Sequence, residues 1–261
     1  MTSARIFFVG GLTSYRALFN WLSPWIFIPT FLVAPIFQIL LFVYIGRSAG
    51  AQSDEFYVIG NALQYCAIPC IFAMSNTIAG ERFQQTLGMV LATPAGRLPL
   101  FLGRSLPVIG NGIFVSIFAL VVGGAIVGVH IPASSYGPIA LVIVVTCASC
   151  TGLGLVIAAI GLRVRETATL NNIAFGILLV FCGTNVPLSE LPSWMSFISQ
   201  GLPLTHGIEA ARRLADGQSL SAVAGLIGAE ALVGVVYMAL GYGLLLFMEQ
   251  QSRSLATLET A

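Results

Sequence analysis

Between Arg104 and Arg163 the chain contains no Asp, Glu, Arg or Lys. A helix or strand packed on a soluble core shows charge to water on its outer face every few residues. A stretch this long without charge is therefore built to sit in hydrocarbon. It is also too long for one crossing, because about 20 helical residues cover the roughly 30 Å of a bilayer core. The segment "HIPASSYGP" at 130–138 supplies turn chemistry that divides it. A third span near 105–129 and a fourth near 138–161 result.

The same criterion locates the other crossings. Charge-free windows give a first span at 24–46, a second at 56–79 and a fifth at 169–186. A sixth, at 223–248, holds one carboxylate, Glu230. Only complete helices or closed barrels satisfy their own backbone in lipid, and windows of this length select helices. The expected fold is an all-α integral membrane protein with six transmembrane helices. Composition agrees, with 57% apolar and 8% charged residues and a mean hydropathy of +0.94. A net charge of +1 gives no basic surface for nucleic acid.

All the basic residues are arginine; the chain has no lysine. Eight arginines (Arg5, Arg16, Arg82, Arg97, Arg104, Arg163, Arg165 and Arg253) fall on one side of a six-span arrangement. Three, Arg47, Arg212 and Arg213, fall on the other. The positive-inside rule then places both termini in the cytoplasm. A small-x-small pattern at Ala49-Gly50-Ala51 admits a secretory signal, but the apolar stretch before it exceeds the ~7–15 residues of a signal core. It is read as a span.

Before the first span, Phe8, Leu12, Tyr15, Phe19 and Leu22 recur at helical spacing. Residues 1–23 are expected to form an amphipathic helix in the membrane interface, although Gly10 and Gly11 cost it about 1 kcal/mol each against alanine. The segment 80–104 between spans two and three contains "ERFQQTLGMVLATPAGRLPL". It is compatible with helix as far as Thr93, where Pro94 ends the run. Leu87, Val90, Leu91 and Leu98 form an apolar ridge, and Gln84, Gln85 and Thr93 offer hydrogen bonds. An ordinary amphipathic loop is the alternative.

Residues 187–222, ahead of the sixth span, alternate proline breaks with apolar pieces. Leu191, Trp194, Phe197 and Ile198 suit one short helix, and Ile208, Ala211 and Leu214 another, separated by Gly201 to Pro203. Too short to cross and too apolar for a solvated loop, they are expected to re-enter the outer leaflet.

Polar groups inside spans are costly unless they face protein or water. Asn61, Gln64 and Tyr65 share one face of span two, with Phe72 continuing it. Asn171, Asn172, Thr184 and Asn185 lie near the ends of span five. Interhelical hydrogen bonding and the lining of a path both account for them. Glu230 is expected to pair with Arg212 or Arg213. Gly124 and Gly128 form a GxxxG read as a local helix contact. Cys66, Cys70, Cys147, Cys150 and Cys182 lie in apolar runs and read as packing groups. His130 and His206 stand apart from other ligands, so no metal site is expected.

The order of these features, with "E-R-x-x-x-T-L-x-x-x-L-x-T-P" after span two and "L-P-x-W…L-P-L-T-H-x-I-E-A-x-R" before span six, resembles permease subunits of the ABC-2 family of ABC exporters. The likeness covers nearly the whole chain, and residues 1–261 are read as a single transmembrane domain with a tail at 249–261. It is nearest to the drug and lipid exporter branch, the daunorubicin-resistance and nodulation-factor type. The resemblance implies a coupling helix between spans two and three that docks on a separate cytoplasmic ATPase. Glu81, Arg82, Gln84, Thr86, Leu87, Leu91, Thr93 and Pro94 are its candidate contacts. Gln85 and Gly88 stand where the family often has glycine and an acid.

The resemblance further implies that Asn61, Gln64, Tyr65, Phe72, Thr184 and Asn185 line a path. Pro192, Trp194, Pro203, Thr205, His206, Glu209 and Arg212 belong to the external re-entrant segment. It implies a second permease copy or a related permease, contact with membrane lipids, and ATP and Mg bound by the partner. The chain is no enzyme by this reading, since a phosphate-binding loop needs a lysine and none exists. The expected function is export of a hydrophobic or amphipathic substrate, such as a drug, lipid or glycolipid, across a bacterial plasma (inner) membrane. A polysaccharide-exporting permease shares the scaffold. A secondary transporter or channel would need more intramembrane charge than Glu230, and a membrane enzyme would need clustered catalytic side chains.

Overall fold

A computed structural model describes residues 23–83, 85, 97–164 and 166–254. Residues 1–22 of the interfacial helix expected at 1–23 lie outside the described residues. So do Gln84, Thr86, Leu87, Leu91, Thr93 and Pro94 of the coupling segment, together with the Arg82 side chain.

Eight longer helices and two short 3₁₀ turns, Ala133–Ser135 and Leu188–Glu190, make up the described chain, and no strand occurs among the described residues. Helix α1 runs Pro24–Ala49. Helix α2 is built from three joined pieces: Asp54–Gln64, a π-helical Ile68–Ala73, and Met74–Phe83. Then follow α3 (Arg97–Val127), α4 (Tyr136–Ile160), α5 (Thr167–Phe181), α6 (Ser193–Gln200), α7 (Thr205–Ala215) and α8 (Leu220–Ser254). The third and sixth expected spans are thus parts of longer helices.

Five stretches are long and apolar enough to cross a membrane: Pro24–Ala49, Asp54–Thr77, Ser105–Val127, Ala133–Ile160 and Leu220–Met248. Helix α5 is apolar but has only 15 residues, about 22 Å at the helical rise. It stops at Phe181 because Cys182 leaves helical geometry and Gly183 takes φ +73°. The chain expected to complete the fifth span, 182–186, is non-helical.

The π-helical turns in α1 and α2 follow from proline. Pro29 and Pro69 are the second residues of Ile28–Val33 and Ile68–Ala73. Proline has no N–H to donate and its ring crowds the carbonyl of the preceding turn, so a wider turn relieves the clash. Just before Pro69 the ladder tightens, with Cys66 N–H bonding Leu63 O at 3.1 Å. Ser116 of α3 donates to the Ala62 carbonyl at 2.9 Å, anchoring the irregular stretch from outside.

The GxxxG reading of α3 is corrected. Gly128 has φ +88°, and its N–H and that of Val129 both bond Gly124 O at 2.9 Å. It is the left-handed residue that ends the helix, a geometry glycine adopts without steric cost. Gly124 alone lies on a packing face, towards Val58 of α2.

Helices α2 and α4 form the interior. The apolar window of α2 is 83% buried, against 22% for α1 and 17% for α8. The latter two are therefore peripheral and turn Trp25, Phe37, Leu41, Leu232, Val235 and Leu240 outward, as hydrocarbon-facing helices do. Helix α4 touches α2, α3, α5, α7 and, along much of its length, α8. The α4–α8 approach is close because glycines face it: a Cβ on Gly234 would stand 2.9 Å from Ser149 Cα, and one on Gly152 3.0 Å from Gly234 O. Small residues let helix backbones meet in this way.

Candidate functional site: polar ties between α2, α5, α7 and α8

Two of the polar residues singled out in the sequence, Asn61 and Asn185, meet in space. Asn61, fully buried, accepts from Gln38 Nε2 of α1 at 2.9 Å. Its own Nδ2 donates to Asn185 Oδ1 at 2.9 Å and to Tyr57 O at 2.9 Å. One amide thus joins α1, α2 and the segment following α5. At the other end of the same pair, Asn171 of α5 donates to Ser75 Oγ of α2 at 2.7 Å. Gln64 is fully buried, and its side-chain amide has no hydrogen-bond partner. Tyr65 and Thr184 are buried and Phe72 partly so.

The Glu230 expectation is also corrected. Its carboxylate does not pair with Arg212 or Arg213. Oε1 accepts from Leu204 N–H at 2.8 Å and Oε2 from Gly207 N–H at 3.1 Å. The first amides of a helix have no internal partner and carry the positive end of its dipole, so a carboxylate there is favoured. Leu204, in the cap position of α7, has φ +84° and offers no capping side chain. Glu230 reaches from α8 to do so instead.

Arg212 takes a different set of partners. Nη1 donates to Gly183 O at 2.8 Å, and Nη2 to Thr184 O at 2.9 Å and Phe56 O at 3.0 Å. The guanidinium lies 3.4 Å from the Phe56 ring centroid. The Gly183 and Thr184 carbonyls are left over where α5 stops, Phe56 O near the start of α2 accepts on its second lone pair, and a forked cation satisfies all three at once. Ser199 of α6 donates to another, Phe181 O, at 2.6 Å. Burial lowers the Arg212 pKa to about 9, opposed by the charge of Glu209, so it remains protonated at neutral pH. Arg213 pairs with Glu209 at 2.8 Å, one turn away, where both are exposed.

The rest of this end is held by Arg47–Asp54 at 2.6 Å, between α1 and α2, and by Gln52 donating to Glu190 at 3.3 Å. Pro192 precedes α6, and Trp194 stands edge-on to Phe181 with centroids 6.0 Å apart. Pro203 O accepts from the Cys182 thiol at 3.3 Å. His206 shares a 3.1 Å contact between Nε2 and Gln200 O. Thr205 is buried, and its hydroxyl meets the Cys182 thiol.

Sequence reasoning marked Glu230 and Arg212 but misassigned their partners, since backbone amides and carbonyls leave no letter in a sequence. Gln38 and Ser75 were missed. Each is a lone polar residue on an apolar face, and that alone could have flagged them.

Near the opposite end, Glu81 is 8% exposed, at the close of α2. Gln85 adopts φ +58°, a left-handed backbone that costs a non-glycine residue about 1–2 kcal/mol.

The five cysteines are free and buried. Among the described residues no three His, Cys, Asp or Glu side chains are grouped to hold a metal ion. A groove of ≈ 540 Å³ lies between α4 and α8, walled by Val144, Ala148, Val235, Met238 and Tyr242. A second cavity, of ≈ 370 Å³, adjoins Arg212 and α7.

None of the curated proteins compared with the chain matches it. A family model described as ABC-2 type transporter matches residues 11–214, from before α1 through most of α7. With that match over most of its length, and with a bundle of apolar helices to carry it, the chain belongs to the ABC-2 type transporter family.

Proposed function

We propose that this chain is the permease subunit of an ATP-driven exporter in a bacterial plasma membrane, working as a pair with a second permease and driven by cytoplasmic ATPase subunits. The family match over residues 11–214 carries the reading. The absence of lysine supports it, because hydrolysis by a phosphate-binding loop must then come from another chain. In this reading α5 is the fifth of six crossings, both termini are cytoplasmic, and α6 and α7 face outward. ATP and Mg act on the partner. Glu81, Arg82, Gln84, Thr86, Leu87, Leu91, Thr93 and Pro94 form the segment through which the ATPase moves the bundle.

The cargo is hydrophobic or amphipathic, a drug, lipid or glycolipid. The α4–α8 groove supports this, being wide enough for small molecules, whose sites measure roughly 300–1,000 Å³, and walled by apolar side chains. Asn61, Gln64, Tyr65 and Phe72 of α2 line the path together with Thr184 and Asn185 of the segment after α5, the Asn61–Asn185 bond tying the two walls. Glu230 is engaged by two amides of α7, which leaves a proton-coupled transporter without its carrier.

Co-purification tests the proposal. A cytoplasmic ATPase should be retained by the wild-type chain and lost on substituting Thr86, Leu87 and Leu91 by Asp, while vanadate should abolish transport by the complex. Vanadate-insensitive transport by the chain alone would overturn it.

A further inference from the structure

Four of the cysteines come together where α2 meets α4. Cys66 and Cys70 lie one turn apart on α2, Cys147 and Cys150 one turn apart on α4, and all four are fully buried. The Cys66 thiol is in hydrogen-bonding reach of the Cys70, Cys147 and Cys150 thiols, and Cys70 also reaches Cys147 and the Thr151 hydroxyl. Cys182 instead donates to Pro203 O.

Glycines bring the backbones close at this point. A Cβ on Gly154 of α4 would lie 2.9 Å from Cys70 O and 3.0 Å from Ile71 Cα, and one on Gly112 of α3 would lie 2.5 Å from Cys70 Sγ and 3.2 Å from Cys147 Sγ. The thiols touch one another directly, and no three of them are disposed around a point that a metal ion could take. Packing needs only small apolar groups, which alanine or valine supply. Facing thiols on two closely approaching helices have a reaction of their own, the disulfide.

Position selects the oxidant. The cluster lies near the middles of the apolar stretches Asp54–Thr77 and Ala133–Ile160, where charged reagents do not dissolve. Cys66 and Cys70 also bracket Pro69, where the ladder of α2 is irregular: Cys66 N–H bonds Leu63 O, and a π-helical turn begins at Ile68. A stretch without regular helical bonds opens locally at lower cost than the helix around it.

We propose that Cys66 is an oxidation site, at which an alkyl hydroperoxide dissolved in the hydrocarbon produces a disulfide between Cys66 and the cysteine pair of α4. The Cys66 sulfur takes the terminal peroxide oxygen, giving a sulfenic acid and releasing the alcohol. A thiol of α4 then attacks that sulfur, and the oxygen leaves as water. Two thiols lose two electrons and two hydrogens, the O–O bond is cleaved, and one disulfide, one alcohol and one water result. The bond ties α2 to α4 beside the proline break. Nothing in it depends on the exporter reading or on which face is cytoplasmic.

The test uses the full-length chain in vesicles of saturated phosphatidylcholine, treated with cumene hydroperoxide, alkylated in denaturant and mapped by mass spectrometry. The protein should lose two of its five free thiols. The peptide carrying Cys66 should be linked to that carrying Cys147 and Cys150, with Cys182 still alkylated. The tryptophan-fluorescence melt should rise by roughly 5–15 °C, the effect of one native-compatible disulfide in a chain of this size. Cys66→Ser should abolish the link and the rise, whereas Cys70→Ser and Cys182→Ser should keep both. Hydrogen peroxide, which favours water, should need a higher concentration. Five intact thiols after treatment, a link that survives Cys66→Ser, or scrambled pairing that includes Cys182 would overturn the proposal, and equal potency of hydrogen peroxide would overturn its apolar oxidant.

Discussion

Glu230 shows how one side chain changes meaning between sequence and structure. A lone carboxylate in a span predicts a cationic partner, and arginines stand nearby in the chain. The structure gives it two amides instead, because α7 begins at Leu204 with φ +84° and no cap of its own. Replacing Glu230 by Gln keeps one acceptor and turns an N–H towards another N–H. We expect a loss of about 1–3 kcal/mol, the cost of a buried donor left unpaired. Thiol-reactive dye melting would read the change through the five buried cysteines, and hydrogen exchange should show faster exchange at Leu204 and Gly207. Unchanged protection at those two amides would refute the capping role. Arg212 obeys the same logic with the sign reversed, as a cation gathering stray carbonyls.

At the scale of elements, helix existence was legible and helix regularity was not. Charge-free windows located the five stretches long enough to cross a membrane and the shorter apolar α5, because the cost of burying charge in lipid acts on every residue of a span. Breaks at Pro29 and Pro69 depend on how neighbours absorb a missing hydrogen bond, as Ser116 does for the Ala62 carbonyl. Pairings were hidden for a related reason: Asn61 and Asn185 lie 124 positions apart, and no local pattern links them. The contact between α4 and α8 was unsuspected from Gly152 and Gly234 alone. Gly234→Leu should place a side chain where Ser149 backbone now sits, 2.9 Å from the added Cβ. Overpacking of this kind costs about 1–3 kcal/mol, and the dye melt should fall accordingly, whereas leucine at Gly225, which faces open space, should not lower it.

For the whole molecule, the six-crossing arrangement proposed above makes bilayer thickness a variable through the short α5. Its 15 residues cover about 22 Å, less than the roughly 30 Å hydrocarbon of an average bilayer. The bundle must thin the membrane locally or fill the gap with α6 and α7. Reconstituted in phosphatidylcholines of increasing chain length, the protein should be most heat-stable at 14 to 16 carbons, about the thinner end of natural membranes, and lose stability towards 22. A flat profile would show that α6 and α7 fully compensate.

Helix α8 contains no proline and runs unbroken from Leu220 to Ser254, about 52 Å as a straight helix. Glu230 sits about 15 Å from its first residue and grips α7 by two amides. The helix is in effect a pushrod with a clasp near one tip. A twist or thrust applied at its Ser254 end arrives at α7 and the Arg212 cavity without passing through the proline-broken α2.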